Sequence, residues 1–221
     1  MIADFHTHSF FSDGVLLPSE LIRRALVAGY AAIAVTDHAG PGNLEEVLDA
    51  LRRECELARA HWPIIALPGV ELTHVPPASI AGLARRARAA GAAIIVVHGE
   101  TVTEPVEPGT NAAAIDCEEV DILAHPGIID PADAARAAAR GCHVELSARK
   151  GHAYANGHVA RVALDAGARL LVNSDGHAPE DLLTPRLQEI VLRGAGVPTA
   201  MHAAILVDYP RDLLAVATAR L

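Results

Sequence analysis

Two histidines near the N-terminus, His6 and His8, have the type and spacing of a pair of metal ligands. They lie in the segment 4–9, after a short apolar start and before the turn-like segment 12–14. In an extended strand, residues two apart project from the same face, so both imidazoles would point the same way. Imidazole is a common ligand of zinc. The pair alone does not distinguish a metal site from two histidines that lie near each other by chance, so evidence from the rest of the chain is needed.

The composition predicts a globular protein with an aliphatic core. Of the 221 residues, 51% are hydrophobic and only 3% are aromatic. This length fits one sizeable domain or two small ones. The formal net charge of −9 argues against an extended nucleic-acid surface, because such surfaces are basic. Long nucleic acids are therefore not expected as partners.

The cysteines and the N-terminus predict a cytoplasmic location. Three widely spaced cysteines fit reduced thiols better than a disulfide framework: Cys55, Cys117 and Cys142. The chain starts with acidic Asp4 and the histidine pair, so we expect no signal peptide. No apolar run approaches the roughly 20 residues of a membrane-spanning helix, so no membrane partner is expected.

Short apolar runs alternate with helical patterns along the chain. We expect strands at residues 1–5, 31–35, 64–67 with 69–71, 93–97, 122–124, 142–146 and 169–172. We expect helices at residues 18–28, 44–61, 79–90, 131–140, 157–166 and 180–192, with 99–111 left as an irregular loop. The tail, 198–221, contains an apolar run at 204–207 and a last helix after Pro210.

This alternation predicts an α/β fold with right-handed crossovers and a parallel sheet. Seven strand–helix units are enough for the sheet to close into a barrel. No change of composition and no linker marks a second domain, so we expect one domain over residues 1–221. The tail, 198–221, is expected to pack across an end of the barrel.

Polar residues of the metal-ligand type follow six of the seven predicted strands. In parallel α/β barrels the site lies at the carboxyl ends of the strands. A single histidine there is more often a hydrogen-bonded loop residue than a ligand. Nine such residues at one rim would repel one another and lose solvation unless cations lay among them. The nine are His6, His8, Asp13, His38, Glu71, His98, His125, Asp175 and His177.

Six ordered segments over residues 4–177 resemble the PHP (polymerase and histidinol phosphatase) superfamily: HTHSFFSDG, TDH, GVE, VVH, LAHPG and NSDGH. The ordered set is specific, whereas HTH or TDH alone would be weak. The resemblance implies a distorted seven-stranded (β/α) barrel, in agreement with the seven units found independently. It also implies a metal site at the carboxyl ends of the strands.

The resemblance further implies three divalent metal ions and a ligand set for each. The first ion would be held by His6, His8, Glu71 and Asp175. Glu71 would bridge to a second ion bound by His98 and His125, and Asp13, His38 and His177 would hold the third. Asp13 stands where some members of the family have histidine. A mixed set of imidazoles and carboxylates suits zinc, manganese or iron.

The resemblance implies a phosphoesterase, and we expect the substrate to be a small phosphate monoester, as in histidinol phosphatases. Clustered divalent ions lower the pKa of bound water and neutralise charge on phosphoryl oxygens. Our hypothesis is that a hydroxide between the first two ions attacks phosphorus while the third ion positions the ester. Glu71 would then be catalytically essential, because it touches two ions.

The loop after the sixth predicted strand, residues 145–152, is the densest polar loop without an assigned ligand. Arg149 is expected to grip a phosphate through two hydrogen bonds, and Lys150, the only lysine of the chain, to act as a point charge. A pair of solvated loop residues is the competing interpretation. Glu145 either pairs with Arg149 or accepts a hydrogen bond beneath the metal ions.

Three further polar residues have weaker interpretations. Asp37 either orients a ligand imidazole or caps a turn. His143 is expected to be a hydrogen-bonded core histidine rather than a ligand. His74 and the loop 100–111 are either ordinary loop residues or contribute to a lid or to selectivity.

Three other functions compete with the phosphomonoesterase. A phosphodiesterase or exonuclease on nucleotides or nucleic-acid ends is the nearest one. An amidohydrolase also starts with His-x-His, but usually needs a carboxylated lysine on a middle strand, whereas Lys150 follows strand six. A non-enzymatic metal-binding regulatory domain predicts substituted ligands, and all nine positions carry ligand-type residues.

Overall fold

The computed structural model describes residues 2–221, which form a nearly closed barrel of seven parallel strands surrounded by helices. This confirms the predicted fold. The barrel strands are β1 (Ile2–Asp4), β2 (Tyr30–Val35), β4 (Ile65–Leu72), β5 (Ile94–His98), β6 (Ile122–Ala124), β7 (His143–Ser147) and β8 (Leu170–Asn173). Neighbours pair in that order, and the two-residue strand β3 (His38–Ala39), which was not predicted, pairs with the end of β4.

The barrel closes between β1 and β8 through a few contacts rather than a full ladder. Thr7 and Gly176 form an isolated parallel bridge. The amide of His8 donates to Gly176 O at 2.8 Å, and the amide of Asp175 donates to His6 O at 3.0 Å. We call this junction of residues 6–8 with 175–176 the β1–β8 seam. Backbone groups of predicted metal ligands therefore hold the two edges of the barrel together.

Nine α-helices lie within residues 2–221: α1 (Pro18–Val27), α2 (Leu44–His61), α3 (Pro77–Ala89), α4 (Thr110–Asp116), α5 (Pro131–Arg140), α6 (Asn156–Ala166), α7 (Pro185–Gly194), α8 (Thr199–Ala203) and α9 (Tyr209–Thr218). The predicted bounds of α2 and α5 agree with the structure. Helices α1, α3, α5 and α7 begin with proline, whose missing N–H costs nothing at the first helical position.

Two segments differ from the sequence-based prediction. The loop predicted at 99–111 ends earlier, because helix α4 begins at Thr110, directly after Gly109 with its φ of 94°. The helix predicted at 180–192 begins only at Pro185, because proline favours an extended conformation of the residue before it. Thr184 is extended, and its Oγ1 accepts from Leu187 N at 3.1 Å, which caps α7.

The C-terminal segment is helical almost throughout. The predicted apolar run at 204–207 lies in a π-helical turn, Ala204–Asp208, that joins α8 to α9. Helix α9 begins at Tyr209, one residue before Pro210. Its Leu213, Leu214 and Ala217 belong to the same buried cluster as Ala3 and Phe5 of the β1 segment. Helix α9 therefore packs against the aliphatic interior of the barrel.

The core has two layers. The larger lies between strands and helices, and the smaller is the cluster that includes α9. Both are mainly aliphatic, as the composition predicts. No helix within residues 2–221 combines the length and the apolar character needed to cross a bilayer.

Gly69 lets strand β4 pack closely enough to its neighbours to carry Glu71 into the barrel. A Cβ atom at this position would lie 2.7 Å from Ile94 O and 2.8 Å from Cγ2 of Thr36. Both distances are shorter than a van der Waals contact, so a side chain at position 69 would clash with Ile94 and Thr36 and glycine is required here.

Candidate metal centre

The nine predicted ligands meet at the carboxyl ends of the strands. His38, Glu71 and His98 come from β3, β4 and β5, and the other six lie in the segments after β1, β6 and β8. Six of them line a cavity of about 200 Å³, whereas His6, His8 and Glu71 do not. The lining residues are Asp13, His38, Thr73, His74, His98, Glu104, His125, Arg149, His152, Asp175 and His177.

Glu71 and Asp175 stand at the centre of the deepest part of the site. The Oε1 atom of Glu71 lies 3.3 Å from Nε2 of His6 and 3.5 Å from Nε2 of His125. The Oδ1 atom of Asp175 lies 3.3 Å from Nε2 of His8. These five side chains are buried, and Glu71 reaches both the His6 side and the His125 side of the site.

Asp13 is the centre of a second group nearer to solvent. Its Oδ1 atom lies 3.0 Å from Nε2 of His177 and 3.4 Å from Nε2 of His38. The ring of His8 lies between those two imidazoles, with centroid distances of 4.1 Å to His177 and 4.3 Å to His38. His8 thus takes part in both groups, whereas the family resemblance assigns it to the first ion alone.

Buried polar atoms without a hydrogen-bond partner show that the donor set fits divalent cations. Among the described residues they include Nε2 of His6, both ring nitrogens of His8 and His125, Oε1 of Glu71 and Oδ2 of Asp175. Two ligand atoms of one tetrahedral ion, each roughly 2.0–2.2 Å from it, lie about 3.3–3.6 Å apart. The nitrogen–oxygen distances of 3.3–3.5 Å around Glu71 Oε1 match that spacing.

A further layer of oxygen atoms holds the imidazoles in place. Nδ1 of His6 lies 2.7 Å from Oε2 of Glu145, which also accepts from Nδ2 of Asn173 at 3.0 Å. Nδ1 of His38 lies 2.7 Å from Oγ1 of Thr73. Metal-bound histidines usually donate their second ring N–H in this way. Of the two interpretations of Glu145, the structure therefore supports the contact beneath the site and not the pair with Arg149.

Asp37 shapes the loop that carries Asp13. Its carboxylate accepts from Ser9 N at 2.8 Å, from Ser9 Oγ at 2.6 Å and from Ser12 Oγ at 2.6 Å. Of the two interpretations of Asp37, the structure supports the cap of a turn. The three bonds fix the path of the chain between His8 and Asp13.

The charges of the site are strongly coupled. Burial alone would lower the pKa of His6, but the carboxylates of Glu145 and Glu71 raise this pKa well above its ordinary value. Burial would raise the pKa of Glu71, but the imidazoles of His6 and His98 hold it well below its usual range. Burial raises the pKa of Asp175 to about 6. Each ionised group at this site thus depends on opposite charges close to it.

Two of the predicted ligands occupy an unusual backbone conformation. His125 has a φ of 26° and Asp175 a φ of 53°. Residues other than glycine rarely adopt positive φ, and the strain is kept mainly at functional sites. The backbone here is bent to aim these two side chains at the cavity.

Arg149 and Lys150 have different positions. Arg149 lines the cavity, and its Nη1 lies 2.7 Å from Nδ1 of His177 and 3.3 Å from Asp175 O. Lys150 is exposed and does not line the cavity. The structure thus brings only one of the two predicted phosphate-binding side chains into the site.

The sequence-based prediction missed three residues of the cavity, Thr73, Glu104 and His152. His152 is buried and stacks on His125 with a centroid distance of 4.0 Å. Glu104 reaches in from the loop before α4, with Oε2 at 3.1 Å from Nε2 of His98 and at 3.0 Å from Nε2 of His74. His152 lies in the polar loop after β7, and the density of polar residues there is the one sequence signal that pointed to it.

His143 differs from its prediction as a hydrogen-bonded core histidine. It is buried, but neither ring nitrogen has a hydrogen-bond partner among the described residues. It is the first residue of β7, at the amino end of that barrel strand, and it lines a separate cavity of about 240 Å³ beside Arg140 and α9. The residue is therefore not part of the candidate site.

A parallel seven-stranded barrel with clustered histidines and carboxylates at its carboxyl strand ends defines a class of metal-binding proteins. The sequence pattern of the PHP domain matches residues 4–157. The chain belongs to the PHP domain family, which confirms the resemblance found in the sequence.

Relatives and solved structures agree with this membership. An uncharacterized protein of Methanocaldococcus jannaschii is 47% identical over 212 residues, which cover 96% of this chain and 97% of that protein. A 3′,5′-nucleoside bisphosphate phosphatase of Chromobacterium violaceum is 46% identical over 50 residues, 23% of this chain and 18% of the relative. The histidinol phosphate phosphatase of Lactococcus lactis, solved with zinc, L-histidinol and phosphate, superimposes with a TM-score of 0.62 at 14% identity, over 89% of this chain and 94% of that chain. At this identity the similarity concerns the fold alone.

Proposed function

We propose that the chain is a metal-dependent phosphoesterase that hydrolyses a small-molecule phosphate monoester. The observation that carries this proposal is the group of buried imidazole and carboxylate atoms without hydrogen-bond partners, spaced as ligands of shared ions are. The PHP family membership of the chain and the position of Arg149 at the same cavity support it.

We propose three divalent ions of zinc, manganese or iron, with the ligands that the family resemblance implies. Glu71 would be shared between the first two ions, since its Oε1 atom lies 3.3 Å from Nε2 of His6 and 3.5 Å from Nε2 of His125. When bound, such ions lower the pKa of a coordinated water and neutralise charge on phosphoryl oxygens. The residues around the ligands would orient them for the ions. Glu145 holds His6, Thr73 holds His38, and Asp37 fixes the loop that carries Asp13.

Arg149 is proposed to bind the substrate phosphate. In the structure its guanidinium donates to Nδ1 of His177, while Asp175 O lies 3.0 Å from the same nitrogen. A neutral His177 that binds an ion through Nε2 carries its proton on Nδ1. That proton is donated to Asp175 O, so Nδ1 no longer accepts from Arg149. The guanidinium is then free to form two hydrogen bonds with phosphate oxygens.

A nucleotide or a nucleic-acid end is the second candidate substrate. Two short matches favour it. One is to the nucleoside bisphosphate phosphatase described above, and the other is to the 5′-3′ exoribonuclease Rnm of Salmonella typhimurium, 33% identical over 75 residues, 34% of this chain and 24% of the relative. A short cavity of about 200 Å³ suits a phosphate end better than the middle of a polymer.

We also propose a cytoplasmic location, which the three free cysteines support, and a single domain over residues 1–221.

The test of the proposed function is a hydrolysis screen on the full chain loaded separately with zinc, manganese and iron. The substrates are histidinol phosphate, nucleoside mono- and bisphosphates and short oligonucleotides, with release of inorganic phosphate or nucleotide as the readout. We expect turnover of at least one small monoester. If the metallated chain hydrolyses none of them, the phosphoesterase proposal is wrong. Cleavage of oligonucleotides alone would favour the second candidate.

Replacing Arg149 with methionine is expected to lower kcat/KM by about 10- to 100-fold, since a hydrogen bond to a charged group contributes roughly 1.5–3 kcal/mol. Lys150→Met should have an effect of only about twofold that disappears at high salt, because an exposed charge is screened. The matched control is Arg193→Met at an exposed helical position, with unchanged kinetics. If the Arg149 variant and the wild type had equal kinetics, the proposal that Arg149 binds the substrate phosphate would be wrong.

A further inference from the structure

His152 lies within the metal centre, although it is not one of the nine expected ligands. It starts a 3₁₀ turn, His152–Ala155, after β7. The residue before it, Gly151, has a φ of 94°, a left-handed conformation that favours glycine. The side chain of His152 is only 7% exposed, and its ring lies parallel to that of His125, with an angle of 16° between the two planes.

Thr101 fixes the ring of His152. The Oγ1 atom of Thr101 lies 2.7 Å from Nδ1 of His152. The other ring nitrogen, Nε2, lies 3.5 Å from Oε1 of Glu104 and 3.8 Å from Oδ2 of Asp175. An imidazole with one nitrogen held by an oxygen and the other directed at carboxylates has the arrangement of a metal ligand.

The neighbours of His152 point to the same conclusion. One ring nitrogen from each of His98, His125 and His152 lies within 4.8 Å of the other two. Glu71 is grouped instead with His6 and His125. Ligand atoms of a single tetrahedral ion are about 3.3–3.6 Å apart, so small shifts of three buried side chains would bring these nitrogens to ligand spacing.

We propose that His152 is a further ligand of the second ion, beside His98 and His125. This inference rests on the proposed function, since it concerns the same metal centre. A site with three imidazoles and the shared carboxylate of Glu71 has the four donors that zinc favours. Nitrogen-rich donors also bind zinc in preference to manganese. The second site should therefore be the most zinc-selective of the three.

The test is a zinc titration of the full chain in competition with a chromophoric chelator, read as the affinity of each bound ion. His152→Ala is expected to lower the affinity for one zinc ion by about 100-fold or more and to leave the affinities for the other ions unchanged. Thr101→Val keeps the shape of Thr101 but removes the oxygen that orients Nδ1 of His152. It should lower the affinity for the same zinc ion by about 10- to 100-fold. His61→Ala, at an exposed helix end, is the matched control with wild-type affinities.

Unchanged zinc affinities in both variants would overturn the proposal. A rise of KM without any change of zinc affinity would do so as well, because it would make His152 a substrate contact. Failure of the proposed function gives a different result: the wild-type chain binds zinc but hydrolyses no phosphate ester. In that case the titrations still decide whether His152 is a ligand. If the wild-type chain binds no zinc, the proposal for His152 is wrong, whereas the proposed function is still tested by the manganese- and iron-loaded samples.

Discussion

Replacing Glu71 with glutamine is expected to lower kcat/KM at least about 10³-fold and to release two of the three proposed ions. Loss of one group that stabilises transition-state charge already costs roughly 10²–10³ in rate. Glu71 faces four imidazoles, with Oε1 near His6 and His125, and Oε2 near His8 and at 2.7 Å from Nδ1 of His38. Glutamine keeps the size but removes the negative charge that these groups share.

Elemental analysis of the purified variant, together with steady-state hydrolysis, measures both effects. Glu46→Gln, an exposed position of α2, is the matched control and should keep the wild-type metal content and rate. Full metal content and full activity in the Glu71 variant would show that the assignment of the shared ligand is wrong. A loss of metal content without a loss of rate would separate metal binding from hydrolysis.

Removal of the metal ions is expected to abolish hydrolysis and to lower the melting temperature by at least about 10 °C, the effect of losing one tightly bound ion. An ion present at 1,000 times its Kd stabilises the folded state by about 4 kcal/mol, and 1 kcal/mol corresponds to roughly 2–4 °C in a chain of this size. Without ions, the buried carboxylates of Glu71 and Asp175 have mainly imidazoles as their neighbours.

The experiment is dialysis against a chelator, followed by calorimetry and by addition of zinc, manganese or iron to separate samples. Added metal should restore both the melting temperature and the rate, and the metal that restores them best identifies the functional ion. A chelator-treated chain that retains its rate while elemental analysis finds no metal would contradict the metal-dependent mechanism.

Most of the barrel and the neighbourhood of the site could be predicted from the sequence. Parallel strands place their carboxyl ends at one rim, so polar residues such as Glu71, His98 and His125 at the ends of apolar runs must lie together. The order of segments from His6 to His177 then identified the family. Both inferences depend on local sequence and on one topological rule.

What the sequence did not reveal depends on contacts between distant residues. His152 is oriented by Thr101, which is 51 residues away, and no pattern within the loop shows that the ring turns inward. Glu104 lies in a loop whose two ends are joined by Glu100, because Oε1 of Glu100 accepts from the amides of Gly109 and Asn111. Helix α4 was missed for a related reason, since it is only 7 residues long and follows a loop rich in glycine and proline.

The β1–β8 seam would give binding of the proposed first ion a role in folding. Adjacent strands β7 and β8 pair at four positions, whereas the seam has one bridge. The proposed first ion takes His6 and His8 from one edge and Asp175 from the other, so it cross-links the first and last strands of the barrel. Such a link closes a loop that includes nearly the whole barrel, and closing long loops restricts the unfolded chain most. Closure of the barrel and acquisition of that ion would then be a single late event in folding, so the same two histidines that begin the sequence would complete the fold.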